Sequence, residues 1–252
     1  MQKKRVQEKY DLSQSANQLL AALPPEEYDR LAEHLEEVSL SRGEVLLEAG
    51  GTIDYVYFPN RAGISFVSIL EDGATTEVGM VGNEGIVGYP VFLGGECVPH
   101  RTIVQISGKA ARMDAKILKT EFERGGVLQK LVLRHTQALL FQVAQTAACN
   151  RHHPLEKRLA RWLLTAQDCV LSDRLHLTQE FVANMLGTRR AGVTEAEGVL
   201  QAKGIISHSR GQITILDRPG LEAAACECYR TVARHSGKLL YHGEDCAASL
   251  EN

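Results

Sequence analysis

The chain contains no run of eighteen or more apolar residues, which excludes a hydrophobic helical span of a bilayer. It lacks an excess of either charge. The 28 Lys and Arg stand against 31 Asp and Glu, a formal net charge of −3, so no global electrostatic signature of nucleic-acid binding exists. The six cysteines, at 97, 149, 169, 226, 228 and 246, show no paired zinc spacing, and no apolar signal peptide precedes them. Cys226 and Cys228 are separated by one residue, too close for a CxxC redox or zinc half-site. Reduced thiols in the cytoplasm, with no metal, are therefore expected. Nucleophile elbow, Walker loop, HExxH and paired-carboxylate motifs are all missing, and the chain is not expected to be an enzyme.

At 252 residues the chain is long enough to bury two cores. Its charge is uneven: residues 1–150 sum to −4, residues 151–219 to +3 and the remainder to −2. After a polar arm over residues 1–14, Asn17 is placed to cap a short helix over residues 18–22. A second helix is expected after Pro24-Pro25, where Tyr28, Leu31, Leu35 and Val38 recur at helical spacing. Between Gly43 and Met113 the pattern changes to short apolar runs broken by Gly, Asn and Asp, at 45–47, 55–58, 64–70, 75–81 and 102–106. Glu71-Asp72-Gly73-Ala74 supplies a hairpin turn between two of them. Five or more short strands with tight turns predict a barrel or jelly roll.

Beyond Asp114 the pattern is helical up to Pro154, with Leu128, Leu131, Val132, Leu139, Val143 and Ala147 forming an apolar stripe. Such a stripe on a long helix either packs against a second copy of itself or covers its own barrel. A further amphipathic helix follows over residues 155–170, basic at Lys157, Arg158 and Arg161 and carrying Trp162 and Leu163 among its apolar residues.

The most informative segment runs from Leu177 to Gly204. Thr178 is a good N-cap for a short helix with apolar Phe181, Val182, Met185 and Leu186, and Gly187 tolerates the left-handed geometry that ends it. Thr188 is placed to cap a second helix that stops at Gly204, giving the spacing of a DNA-binding helix-turn-helix. At about 100° per residue, Val193, Ala196 and Leu200 face the core, which leaves Ala191, Thr194, Glu195 and Gly198 outward with Arg190 at the margin. Arg190 can bind a guanine edge in bidentate fashion, Glu195 can accept from a cytosine amino group, and Thr194 can reach a base or a phosphate. Arg189 lies inward by angle and is assigned to backbone phosphate. The alternation over residues 205–216 around Arg210-Gly211 predicts a two-stranded wing with Arg210 at its tip. The expected DNA-facing set is Thr178, Gln179, Thr188, Arg189, Arg190, Ala191, Thr194, Glu195 and Arg210. A helix over residues 221–233 is expected to close the winged-helix core, followed by a polar tail expected to be mobile.

With these residues in hand, the chain resembles the Crp/Fnr family of transcription regulators along nearly its whole length. The segment from Leu177 to Gly204 with its wing carries the resemblance most specifically, and the glycine-punctuated strands from Gly43 through Gly82-Asn83-Glu84-Gly85 to Arg101-Thr102 carry the rest. The resemblance implies an α+β chain in three parts: a sensor domain over residues 1–121 with a cyclic-nucleotide-binding-like jelly roll at about 43–113, a connecting dimerisation helix over 122–153, and a winged helix-turn-helix domain over 154–252. It further implies a homodimer on a palindromic duplex, with half-sites about one helical turn apart, and contact with RNA polymerase. Members that bind cyclic nucleotides hold the ribose with a Glu and the phosphate with Arg-Ser or Arg-Thr, and Glu84, Arg101 and Thr102 are the candidates here. Asn83 stands before Glu84 where those members have Gly, and the stretch to Arg101 is longer than theirs. Iron–sulfur members carry cysteines near the N-terminus, whereas this chain has none before Cys97. Haem-binding members exist as well, but the spacing of His100, His135, His152 and His153 selects no ligand. Ala191 and Glu195 also differ from the best-known members, so the target sequence does not carry over. A second functional class remains compatible with the weak local charge: a signalling module whose barrel binds a small molecule and whose C-terminal helices engage a protein.

Overall fold

The computed structural model describes residues 17–95 and 97–237; the polar arm over 1–14 and the tail beyond residue 237 lie outside the described residues. The chain begins with α1 (Gln18–Ala21), whose cap Asn17 accepts from Leu20 N–H at 3.1 Å. The Asn17 amide also donates to the carbonyls of Pro59 and Gly85, both at 2.9 Å, so one buried side chain joins the helix to two barrel loops. Helix α2 (Pro25–Ala32) starts at the proline pair as expected but ends six residues before Val38. Glu36–Leu40 is instead strand β1, in antiparallel register with Gly108–Asp114 (β7). The helical spacing of Leu35 and Val38 was incidental, because pairing with a distant strand overrides local periodicity.

Strands β2 (Val45–Leu47), β3 (Tyr55–Pro59), β4 (Gly63–Ile69), β5 (Thr75–Val81) and β6 (Arg101–Ile106) complete two antiparallel sheets, ordered β1-β7-β3 and β2-β6-β4-β5. The β4–β5 turn is the one read from Asp72-Gly73: Gly73 has φ 82°, and the Asp72 carboxylate accepts from Ala74 N–H at 2.9 Å. Val56 and Phe58 from one sheet and Ile64, Phe66 and Val104 from the other fill the space between them.

A helix α3 (Ala115–Glu123) and a Gly125-Gly126 break precede the long α4 (Val127–His152), so the connecting helix starts later than residue 122. The Glu27 carboxylate in α2 caps α4 by accepting from Val127 and Leu128 N–H at 2.9 and 2.8 Å. Leu128, Leu131, Val132 and Leu139 of the predicted stripe are buried in the barrel core, with Val143 half-buried against it and Ala147 exposed. The stripe therefore covers its own barrel. A different face of α4, with Leu133, Leu140, Ala144, Ala147 and Ala148, is the exposed one.

The C-terminal part comprises α5 (Leu155–Val170), β8 (Arg174–His176), α6 (Gln179–Met185), α7 (Arg190–Ala202), β9 (Ile206–Ser209), β10 (Gln212–Ile215), α8 (Arg218–Ala224) and α9 (Cys228–Gly237). Its core of Trp162, Leu163, Leu164, Val182, Val193, Leu200 and Ile213 is continuous with Val67 and Met80 of the barrel. The single helix expected over 221–233 is two helices, because Ala225 is extended at ψ 160° and Cys226-Glu227 turn the chain between them. Among the described residues, no helix is long and apolar enough to cross a membrane.

Candidate nucleic-acid interface

Helix α6 begins where the sequence placed it, with Thr178 Oγ1 accepting from Phe181 N–H at 3.3 Å. Gly187 has φ 57°, and the chain reverses there into α7. The second cap differs from expectation. Arg189 occupies the N-cap position of α7 with no side-chain cap bond, and Thr188 instead donates its backbone N–H to the Ala183 carbonyl at 2.9 Å. Thr188 thus closes the turn between the helices.

Helix α7 follows the expected wheel at Val193, Ala196 and Leu200, which are buried, and at Arg190, Ala191, Thr194, Glu195 and Gly198, which are exposed. Arg189, expected inward by angle, is instead exposed, because as the extended N-cap residue it lies outside the helical turn. The outward face is therefore a narrow strip of small and polar side chains with arginines at its N-terminal end, a shape that can approach base edges. Thr194 is partly engaged, since its hydroxyl lies 3.1 Å from both Gln179 Oε1 and the Arg190 carbonyl. The wing is a three-stranded sheet ordered β8-β10-β9, and its tip residues Arg210 and Gly211 have φ 50° and 75°. Positive φ at both turn residues is the geometry of a tight two-residue hairpin loop, and it leaves the Arg210 side chain exposed beyond the sheet.

Gln179 is exposed along part of its length but faces inward, toward α7. Its Nε2 donates to Glu197 Oε2 at 2.7 Å, and the same carboxylate oxygen lies 2.7 Å from His208 Nδ1. Glu197 is fully buried, and Gln179 and His208 supply partners to its Oε2, while its Oε1 has none. This linkage of α6, α7 and β9 fixes the angle between the two helices and the wing. The wheel already places 197 beside 193 and 200 on the inward side, which was the available signal for it. Arg158, read as a basic residue of α5, donates to the Leu186 carbonyl and satisfies the end of α6, and Arg161 is buried.

The three ligand candidates do not converge. Glu84 is half-buried, its carboxylate accepts from Gly82 N–H at 2.9 and 3.1 Å, and desolvation holds its pKa above the ordinary carboxylate range. It lines a cavity of about 340 Å³ shared with Gln142, Arg161, Thr165 and Asp168, and neither Arg101 nor Thr102 lines that space. Arg101 pairs with Glu48 at 2.9 Å on the exposed outside of β6, and the Thr102 hydroxyl is buried without a partner. Glu84 and Arg101 are thus not placed to grip one cyclic nucleotide between them. What spacing along the chain also missed is a meeting of Cys149, His153, Cys226 and Cys228 where α4 ends beside the α8–α9 break.

Residues 157–224 match the family model of the Crp-like helix-turn-helix domain. No curated protein matches the chain by sequence. Among solved structures, FixK2 from Bradyrhizobium japonicum is similar at a TM-score of 0.64 with 16% identity, covering 76% of this chain and 98% of its own. A CRP-family transcriptional regulator from Thermus thermophilus is similar at 0.61 with 19% identity, covering 75% and 96%. The c-di-GMP responsive global regulator CLP of Xanthomonas campestris is similar at 0.59 with 14% identity, covering 76% and 99%. These likenesses establish the fold, and the matched domain lies on the helix pair and wing described above. The chain thereby carries the Crp-like helix-turn-helix domain of a DNA-binding transcription regulator, on a fold it shares with solved Crp/Fnr family structures.

Proposed function

We propose that this regulator acts in the cytoplasm as a homodimer on a two-fold symmetric duplex, with α7 of each protomer in successive major grooves and the wing on the flanking backbone. The observation that carries the reading is the exposed strip of Arg190, Ala191, Thr194, Glu195 and Gly198, flanked by Arg189 and by Arg210 at the wing tip. In this reading Arg190 and Glu195 read bases, Thr194 contributes at the strip's centre, and Thr178, Thr188, Arg189 and Arg210 meet phosphates. Gln179 orients α7 through Glu197. The exposed apolar face of α4 supports the dimer, since Leu133 and Leu140 are seven residues apart, one heptad, and lie open to water. The parts divide as a sensor over residues 1–121, a connector over 122–153 and a DNA-binding part over 154–252. Binding, with no turnover, is the whole activity assigned, and contact with RNA polymerase belongs to the same reading.

Control by a small molecule is also proposed. The similar regulator from Xanthomonas campestris is described as c-di-GMP responsive, and the cavity beside Glu84 lies between the barrel and the C-terminal helices, where an occupant touches both. The test is selection of bound duplexes from sheared genomic DNA at two salt concentrations, with and without cyclic mono- and dinucleotides. A two-fold symmetric motif whose binding weakens with salt supports the regulator, because phosphate contacts release counterions. Recovery of no motif under any condition rejects the assignment and favours a module that engages a protein partner.

A further inference from the structure

Four donor side chains from two distant parts of the chain meet at one point. Cys149 lies in the last turn of α4 and His153 immediately after that helix, while Cys226 lies in the break between α8 and α9 and Cys228 is the first residue of α9. Their ligand atoms all lie within 4.8 Å of one another. Cys149 Sγ is 3.5 Å from Cys226 Sγ, and Cys228 Sγ is 3.6 Å from His153 Nδ1. Donors at the corners of a tetrahedron around one zinc ion, with bonds of about 2.3 Å to sulfur and about 2.0 Å to nitrogen, stand roughly 3.5–3.8 Å apart. Two of the pairs already have that separation.

We propose that Cys149, His153, Cys226 and Cys228 form a binding site for a single zinc ion, which fastens the end of the connecting helix to the C-terminal helices of the DNA-binding part. The donor set of three sulfurs and one imidazole nitrogen is that of a closed, four-coordinate structural site. Donors gathered this tightly enclose one ion, whereas a cluster of several irons spreads its ligating sulfurs farther apart. The surroundings match as well. The other ring nitrogen of His153, Nε2, lies 3.2 Å from Glu227 Oε1, the carboxylate–imidazole pairing that turns a histidine toward a metal. Gln145 Nε2 donates to Cys228 Sγ at 3.1 Å. The Arg161 guanidinium acts electrostatically on Cys149, and Arg158 on both Cys149 and Cys226, which offsets the negative charge of three thiolates around a divalent ion. All three cysteines are buried and His153 half-buried, so the site is dry and leaves no open coordination position for substrate.

The α8–α9 break acquires a reason on this reading. A continuous helix through residues 225–227 would point Cys226 and Cys228 to different sides, because residues two apart do not share a helix face. The extended Ala225 and the turn at Cys226 bring both sulfurs to the end of α4.

The experiment uses the full-length protein, purified under reducing conditions, with metal content measured by mass spectrometry and the chelator-stripped protein titrated with Co²⁺ and then Zn²⁺. We expect one zinc per chain, and a Co²⁺ form with the thiolate charge-transfer bands and intense d–d bands of tetrahedral sulfur ligation, which zinc bleaches. Cys226→Ser together with Cys228→Ser abolishes both signals, Cys97→Ser leaves them intact, and Glu227→Gln weakens zinc affinity about 10-fold. Circular dichroism of each variant separates loss of ligand from loss of fold, and the wild-type spectrum stands independently of the variants. A reduced wild-type protein that binds less than stoichiometric zinc and gives no charge-transfer band overturns the site. So does a folded Cys226/Cys228 double variant that keeps its metal, or an isolated Cys149–Cys226 disulfide form whose reduction restores no zinc binding.

Discussion

The indole of Trp162 in α5 donates a 3.1 Å hydrogen bond to Glu77 Oε1 in β5, joining the barrel to the DNA-binding part through a fully buried carboxyl group. Ser65 Oγ donates to the other oxygen at 2.7 Å, and Gln105 Oε1 in turn contacts the Ser65 hydroxyl. Burial pushes the Glu77 pKa from 4.5 up to about 7, against the downward pulls of Ser65, the Arg161 charge and Trp162.

That shift sets a direction of pH dependence. Between 4.5 and about 7 the folded chain retains a proton on Glu77 that the unfolded chain has released. The extra stability is full below the unfolded value and is lost as pH rises through the folded one, a loss of about 1–3 kcal/mol. Glu77→Gln, which carries no titrating proton, is expected to remove that slope and to be more stable than the parent in mild alkali. Denaturant unfolding of both proteins across the range checks this. His135, buried and held down to about 4, is common to both and cancels in the difference. Parallel pH profiles would count against the protonated Glu77.

Arg190 and Arg210 should separate in their effects on DNA. Arg190→Ala is expected to weaken binding to the preferred duplex by about 1–3 kcal/mol while leaving random duplex nearly unaffected. Arg210→Ala is expected to weaken both alike and to lower the salt slope by about 1. Titrations at several salt concentrations make the distinction, and equal losses for both variants on both duplexes would remove the assignment of roles.

Two adjacent leucines of α4 should differ in kind. Leu140 is 63% exposed and Leu139 only 6%. Leu140→Glu is expected to shift the protein from dimer to monomer in sedimentation with little change in unfolding of the monomer. Leu139→Ala leaves a cavity in the barrel core and should lower stability by about 2–5 kcal/mol without changing assembly. A dimer that persists in Leu140→Glu places the protomer contact elsewhere.

Glu197→Ala removes the acceptor shared by Gln179 and His208 beneath α7. Stability should fall by about 1–3 kcal/mol, because two part-buried polar groups lose their shared partner. Affinity for all duplexes should fall with it, since the helix-to-wing angle is no longer held. Thermal unfolding and binding on the same samples test the pair of effects, and unchanged melting would show that water replaces the carboxylate.

Local patterns made much of this molecule legible. The turn at Asp72-Gly73, the cap at Thr178, the inward positions 193, 196 and 200, and the wing tip at Arg210-Gly211 each depend on residues close in sequence, whose backbone preferences and helical periodicity act over a few positions. The helix pair and its exposed strip were therefore readable before any tertiary contact was known.

Other features depended on which distant surface each segment met. Val38 pairs with Ala110 in a sheet although its spacing suits a helix, and the stripe from Leu128 to Leu139 covers the barrel although the same pattern suits a coiled coil. Gln179 turns inward only because Glu197 lies buried across from it. Arg101 and Glu84 parted because one found Glu48 outside and the other the Gly82 amide inside. Periodicity announces that a face is apolar or polar, while its partner is selected by long-range burial and hydrogen-bond satisfaction. Sequence alone thus determined the DNA-binding helices and the strand-rich N-terminal part, and tertiary structure alone decided how α4 is used and where Cys149, His153, Cys226 and Cys228 meet.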